Sequence, residues 1–230
     1  RMELREQRFG IEIEMTGITR AGAAKVAATY FGTRSEYVGT YYQTYAAVDQ
    51  EGRQWKFMSD GSIRAEKKVN GEKRAAGAVY RTEMVSPICR YEDIEKIQEL
   101  IRELKKKGAI VNESCGIHVH IDASPFDAGK LRNLTNIMAA KEDLIYKALG
   151  VSVERQHRWC RPVEERFLEE LNRRRPTSME AVEEIWYNGR SRRGQHYDQS
   201  RYHCLNLHSV FQKGTVEFRL FNGTLHAGKI

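Results

Sequence analysis

Three short segments of the chain alternate apolar residues with charged or imidazole side chains, a period of two that is typical of β-strands with one buried face. They are residues 10–14, 116–120 and 216–219. Because successive side chains of a strand point to opposite faces, the polar groups of each segment share the face opposite its apolar residues. The pattern predicts a sheet that carries acids, imidazoles and a guanidinium on one face.

The size and charge of the chain limit the class of protein. At 230 residues it is expected to form a single domain with a substantial core. Its four cysteines lie far apart without a Cys-x-x-Cys pair, which argues against zinc ribbons and disulfide scaffolds and predicts a cytoplasmic location. No apolar run approaches the roughly 20 residues that span a bilayer. The net charge of +7 favours an anionic partner, which nucleic acid, nucleotide phosphates and acidic peptides all satisfy.

Apolar periodicity predicts the order of helices and strands. Helices are predicted at residues 21–31, 94–104, 127–149 and 178–187. Strands are predicted at residues 9–15, 41–48, 53–58, 79–86, 116–122, 202–210 and 214–222, with a turn at 49–52 and a solvated loop at 64–77. Hairpins interrupted by helix pairs indicate an α+β fold, with a mostly antiparallel, curved sheet and helices packed on one face.

A basic helical excursion at about residues 151–200 interrupts this order. It carries Arg173-Arg174-Arg175 and Arg190-Ser191-Arg192-Arg193. Two interpretations stay open for it: a lid or dock for an acidic peptide or protein acceptor, and a solvated segment whose arginines serve solubility. The chain ends at Ile230, shortly after a strand, and we expect a further C-terminal segment.

Each polar motif has an ordinary explanation when it is taken alone. Glu12 and Glu14 are also typical of an exposed sheet face, and a His-x-His strand such as His118 to His120 occurs with and without metal. The pair on residues 217 and 219 is compatible with a structural ion pair. Their joint occurrence on three strands favours a site, because clustered acids repel unless cations compensate them, and Mg²⁺ prefers carboxylate oxygens.

The motifs also occur in a characteristic order along the chain, from about residue 8 to the end. They are Phe9-Gly10-Ile11-Glu12-Ile13-Glu14, Asp60-Gly61-Ser62, Glu83-Met84-Val85-Ser86-Pro87, Cys115-Gly116-Ile117-His118-Val119-His120, Arg201-Tyr202-x-x-Leu205-Asn206 and Glu217-Phe218-Arg219-Leu220-Phe221-Asn222-Gly223-Thr224. This order resembles the amidoligase family, which belongs with glutamine synthetase and glutamate-cysteine ligase among the carboxylate-amine ligases. The resemblance implies one catalytic domain over residues 1–230, with an antiparallel sheet that forms a funnel of the glutamine synthetase type.

The resemblance implies an ATP-dependent ligase that uses two or more Mg²⁺ ions, with Mn²⁺ as a substitute. Glu12, His118 and Glu217 would hold one metal ion. Glu14 and Glu83 would hold part of a second site, although no further acid follows Glu83 until Glu92. That site is therefore expected to be weaker or to be completed by substrate.

The remaining motif residues would contact the substrates. By resemblance, His120 and Arg219 would bind the ATP phosphates, and Arg219 would also offset charge on the transferring phosphoryl group. Asp60 would bind or deprotonate the amine, since only a neutral amine is nucleophilic. Arg201 and Asn206 would line the pocket.

Two rival functions remain open at this level. A metal-dependent hydrolase would use His118 and His120 with nearby acids to activate water. A non-catalytic nucleic-acid-binding module would explain the net charge, but the strand faces carry acids and no RNA-binding fingerprint occurs. We therefore expect carboxylate and amine substrates, with a peptide or protein as one form of acceptor, and neither nucleic acid nor a membrane as partner.

Overall fold

The structure is a computed structural model, and it describes residues 3–230. It has an α+β fold, in which a large antiparallel sheet of eight strands has helices on one side. The strands are β1 (Phe9–Met15), β2 (Ser35–Gly39), β3 (Thr44–Val48), β4 (Gln54–Met58), β5 (Glu66–Val69), β6 (Glu72–Ala75), β7 (Thr82–Val85), β8 (Gly116–Asp122), β9 (Leu205–Asn206) and β10 (Thr215–Asn222). The order in the large sheet is β2-β3-β4-β7-β1-β8-β10-β9, and β5 and β6 form a separate hairpin.

Seven α-helices are assigned in residues 3–230. They are α1 (Arg20–Phe31), α2 (Asp93–Lys106), α3 (Ala128–Leu149), α4 (Val153–Arg158), α5 (Glu165–Arg174), α6 (Met179–Tyr187) and α7 (His208–Lys213). Side-chain caps fix where four of them begin, since Thr19, Asp127, Ser152 and Ser178 each accept a hydrogen bond from the backbone N–H three residues later. None of the helices in this part of the chain combines the length and apolar character that a bilayer crossing requires.

The described residues divide into two compact units, residues 3–117 with 222–230 and residues 118–221. In the first unit α1 packs against α2 and against β3 and β4. Fully buried Trp55 and Phe57 of β4 and Met84 of β7 form the strand side of this core. The antiparallel pairing of β1 with β7 sets Glu12 opposite Val85 and Glu14 opposite Glu83.

The second unit contains the five helices α3 to α7, strand β9 and most of strands β8 and β10. Helix α5 packs against both α3 and α6. Phe167 of α5 meets Trp186 of α6 edge to face, with ring centroids 4.9 Å apart, a geometry that aromatic pairs favour. The two-residue strand β9 pairs with β10, so that Asn206 lies opposite Glu217.

The α+β class, the antiparallel sheet and the helices on one side were predicted correctly from the sequence. Strand β1 has the predicted bounds, and the predicted turn at 49–52 joins β3 to β4, with Gly52 at a φ of +78°. Strand β3 starts only at Thr44, because Thr40 and Gln43 adopt positive φ values of 70° and 48°. Strand β7 is limited to Thr82–Val85, since residues 78–80 form a 3₁₀ turn.

The predicted strand at 202–210 is wrong. Only Leu205–Asn206 is strand, and helix α7 follows and ends at Gly214, which adopts a left-handed φ of +76°. Tertiary contacts of His208 favour the helix here, because its buried ring lies between the Tyr187 hydroxyl and the Gln195 carbonyl oxygen. The alternating apolar residues of this segment fit either element on their spacing alone.

The predicted loop at 64–77 is also wrong, because it contains the β5–β6 hairpin. Its turn is Asn70-Gly71, with φ values of +52° and +83°, which is the conformation that two-residue hairpin turns favour. The Asn-Gly dipeptide is the sequence feature that indicates this hairpin turn, but charged residues without apolar periodicity surround it. Strand β2 and helices α4 and α5 were not predicted from the sequence either.

Candidate functional site

Strands β1 and β7 place buried carboxylates face to face in the first unit. Glu14 and Glu83 are partners in the strand register, and only 4% and 8% of their surfaces are exposed. The backbone N–H of Gly116 donates to Glu14 Oε2 at 2.6 Å. Glu12 lies on the same strand face as Glu14 and is half-buried. Opposed buried carboxylates are unfavourable unless a cation or a proton compensates their charge.

Strands β8 and β10 gather imidazoles and a guanidinium around one carboxylate in the second unit. Glu217 is 2% exposed, and His118 Nδ1 and His120 Nε2 each lie 3.7 Å from its Oε1. Arg219 Nη1 donates to the same oxygen at 2.7 Å. The four side chains are all buried, so water screens their interactions little.

Neighbouring polar groups hold these side chains in place. His120 Nδ1 lies 2.9 Å from Thr215 Oγ1, which in turn lies 2.7 Å from Ser209 Oγ. Asn206 Nδ2 donates to Glu217 Oε2 at 2.5 Å. Both oxygens of the Glu217 carboxylate therefore have a fixed partner within the chain.

Two groups of side chains, one in each unit, bring possible ligand atoms within 4.8 Å of one another. Glu14 and Glu83 form the group in the first unit, and His118 and Glu217 form the group in the second. Carboxylate oxygens predominate among these donors, and Mg²⁺ and Mn²⁺ prefer such donors. These residues could hold a metal ion, and the donor chemistry fits a hard divalent cation.

The family resemblance assigned His118 to a set with Glu12 and Glu217, and His118 and Glu217 lie close together in the second unit. It grouped Glu14 with Glu83, and the strand register places these two carboxylates opposite each other across β1 and β7 in the first unit. The assignment of each residue to a particular metal ion remains a prediction.

The other predicted site residues lie outside these two groups. Asp60 follows β4, and its Oδ1 accepts hydrogen bonds at 2.7 Å from both the N–H and the hydroxyl of Ser62. The guanidinium of Arg201 donates to the carbonyl oxygen of His196 at 2.9 Å and lies over the rings of Tyr197 and Tyr202. Both side chains are half-buried.

Two residues to which the sequence analysis gave no role, Thr215 and Gly223, also contribute to the structure here. Thr215 precedes Glu217 by two positions on the same strand face, and the period-two pattern could have identified it. Gly223 donates its N–H to the carbonyl oxygen of Cys115 at 2.9 Å, immediately before β8 begins. A Cβ at position 223 would lie only 2.6 Å from Cys115 Cβ, so this close approach requires glycine.

The arginines of the basic segment are largely committed to internal ion pairs. Arg192 Nε donates to Asp198 Oδ2 at 2.6 Å, and Arg193 Nε donates to Glu183 Oε1 at 2.7 Å. Burial alone would raise the pKa of Glu183, but hydrogen bonds from Arg193 and Ser191 outweigh it and the pKa is lowered. Arg190 is exposed. The two paired arginines thus stabilise the segment itself.

Comparison with known proteins gives one match. A family model described as "Putative amidoligase enzyme" matches residues 5–230. No curated protein and no solved structure matches the chain.

Proposed function

Because the chain belongs to the amidoligase family, we propose that it is an ATP-dependent carboxylate-amine ligase that forms an amide or isopeptide bond. A carboxylate oxygen of the first substrate attacks the γ-phosphorus of ATP, and the bond from that phosphorus to the bridging oxygen breaks. ADP leaves and an acyl phosphate forms. The neutral amine then attacks the acyl carbon, and inorganic phosphate departs as the carbon–nitrogen bond forms.

The observation that carries this proposal is the buried Glu217 carboxylate of the second unit, beside which His118, His120 and Arg219 lie. Bound Mg²⁺ or Mn²⁺ would neutralise phosphate charge and so assist phosphoryl transfer. Glu217 and, in the first unit, the opposed carboxylates of Glu14 and Glu83 supply the hard donors that such ions need.

Two basic side chains next to Glu217 are suited to the triphosphate. We propose that His120 and Arg219 contact the phosphate oxygens, with Arg219 offsetting the charge that shifts during transfer. The bond from Arg219 to Glu217 and the contact of His120 with Thr215 fix both side chains before substrate binds, and preorganised charge is the main source of catalysis in phosphoryl transfer. Arg201 and Asn206 are proposed to line the same pocket.

Asp60 is the residue that we assign to the amine substrate. We propose that its carboxylate binds the ammonium and accepts its proton. The bonds from Ser62 to Oδ1 leave the other carboxylate oxygen, Oδ2, for that role. We propose that the acceptor includes a peptide or protein among its candidate forms, for which Arg190 offers an exposed guanidinium. The enzyme is proposed to work in the cytoplasm.

Release of ADP tests the function directly. With Mg²⁺, ATP and a panel of carboxylate and amine pairs, we expect ADP release that needs both substrates. Glu12→Gln and Glu217→Gln should each reduce it by about a hundredfold or more, because each removes charge stabilisation at the transferring phosphoryl group. The matched control is Glu36→Gln, which changes an exposed residue on β2.

Two results would contradict the ligase. One is turnover in Glu12→Gln and Glu217→Gln at the level of the Glu36→Gln control. The other is hydrolysis that needs no ATP, accompanied by tightly bound stoichiometric zinc, which would favour a metal-dependent hydrolase instead.

A further inference from the structure

Asn206 has a buried side-chain amide whose nitrogen and oxygen differ in their hydrogen bonding. It lies on β9 directly opposite Glu217 of β10 and is 2% exposed. Its Nδ2 donates to Glu217 Oε2 at 2.5 Å. Since only the amino end of a carboxamide can donate to a carboxylate, this contact fixes which way the amide points.

The oxygen of the same amide is in a different situation from its nitrogen. Within residues 3–230 no hydrogen-bond partner reaches Asn206 Oδ1, although the atom is buried. A buried carbonyl oxygen without a partner costs about 1–3 kcal/mol, and buried polar groups in native proteins nearly always have one. A group from outside the chain is therefore expected at this oxygen.

We infer that Asn206 Oδ1 is a direct ligand of the divalent cation held with Glu217. This inference rests on the proposed function only in needing that cation. Side-chain carbonyls of asparagine are ordinary ligands for hard cations. A neutral oxygen also completes a coordination shell without adding a second negative charge beside Glu217. One amide then has two roles, because its nitrogen orients the Glu217 carboxylate while its oxygen binds the ion that this carboxylate binds.

Manganese is a suitable probe, because Mn²⁺ is paramagnetic and accepts the same oxygen donors as Mg²⁺. The protein is prepared with carbon-13 at the side-chain carbonyl of its asparagines, and the full chain is studied by pulsed electron paramagnetic resonance. We expect a strong hyperfine coupling between bound Mn²⁺ and a carboxamide carbon. In Asn206→Leu that coupling should disappear, and the dissociation constant for Mn²⁺ should rise at least about tenfold.

Two further variants separate ligation from general damage. Asn206→Asp keeps an oxygen at this position but carries no label, so it should bind Mn²⁺ and yet lose the coupling. Asn172→Leu makes the same change to an exposed amide of α5 that pairs with Asn136, and it should alter neither the coupling nor the affinity. If Asn206→Leu does not fold, the unsubstituted protein and Asn206→Asp still decide the matter.

Mn²⁺ bound without a carboxamide coupling would overturn the inference, because water or substrate would then occupy the oxygen. Absence of Mn²⁺ binding would overturn it as well. The proposed function fails by a different measurement. A strong coupling in a protein that releases no ADP with any substrate pair would keep the ligand assignment and remove the ligase.

Discussion

At the scale of single residues, Glu142 on α3 is a buried carboxylate that lies outside the candidate site. It is 9% exposed, and its Oε2 accepts hydrogen bonds from the Val163 N–H at 2.9 Å and from Cys204 Sγ at 3.4 Å. Burial raises the pKa of Glu142, and these two bonds offset the effect only in part. Burial also raises the pKa of Cys204 to about 12, which keeps the thiol protonated as a donor.

This environment predicts how the free energy of unfolding changes with pH. The unfolded pKa of a glutamate carboxyl is about 4.3. A carboxyl whose pKa is raised in the folded state stabilises the fold at pH values below the unfolded pKa, and this stabilisation is lost as the pH rises through the folded-state pKa. Glu142→Gln removes the charge and keeps an acceptor for Val163. We therefore expect Glu142→Gln to have the higher melting temperature at pH 8.

Thermal unfolding between pH 4 and pH 8 measures this effect. The advantage of Glu142→Gln should shrink as the pH falls towards 4, because the wild-type side chain becomes increasingly protonated in both states. Glu169→Gln, at an exposed position on α5, serves as the control and should follow the wild type throughout. An advantage that stays constant with pH would show that charge is not the cause.

Sequence reasoning could not have distinguished Glu142 from its charged neighbours. Lys141 and Asp143 flank it on α3, and only Glu142 of the three is buried, because it lies where the helix meets residues 163 and 204. Glu12 and Glu14 were easier to recognise, since a strand period of two separates its faces without knowledge of tertiary contacts. Polar residues on helices lack that clear signal when only one of them turns inward.

At the scale of secondary-structure elements, the long periodic segments were the predictable ones. Helices α2 and α3 and strand β1 each repeat their apolar spacing over several turns or pleats, so local sequence decides their type. Residues 205–213 are different. There a two-residue strand passes into a short helix, and the choice depends on burial of His208 by Tyr187, which is a contact between distant segments.

Gly223 is an element-scale feature with a testable consequence. Its Cα lies so close to Cys115, where the chain enters β8, that a Cβ would lie 2.8 Å from the Cys115 carbonyl oxygen. Backbone cannot yield as a flexible side chain does, so Gly223→Ala should cost about 1–3 kcal/mol of unfolding free energy. Urea unfolding of Gly223→Ala and the wild type measures this loss of unfolding free energy.

The control for this change is Gly77→Ala, where no atom lies within 4 Å of the added Cβ. It should leave the urea midpoint almost unchanged. Equal midpoints for Gly223→Ala and Gly77→Ala would mean that the junction between Cys115 and Gly223 relaxes freely, and that glycine is not required there.

At the scale of the whole molecule, the candidate ligands come from four strands that are distant in sequence, β1, β7, β8 and β10. The residue types and their strand faces were readable from the sequence and its family resemblance. The opposition of Glu14 and Glu83 was not, because it depends on which strands are neighbours and on their register. Strand order results from the packing of the whole chain, and no local pattern encodes it.

The acids of this cluster should make the stability of the fold depend on a divalent cation. Mn²⁺ or Mg²⁺ at 100 times its dissociation constant should add about 2.7 kcal/mol to the unfolding free energy, since it binds the folded state preferentially. Glu14→Gln and Glu83→Gln should each melt higher than the wild type in chelator, because a buried like-charge contact is removed. The melting temperature of both variants should rise less than that of the wild type when metal is added.

Calorimetry with and without metal measures these shifts in melting temperature, and Glu36→Gln should match the wild type under both conditions. A metal-induced shift in Glu14→Gln and Glu83→Gln equal to that of the wild type would contradict the assignment of these two carboxylates as ligands.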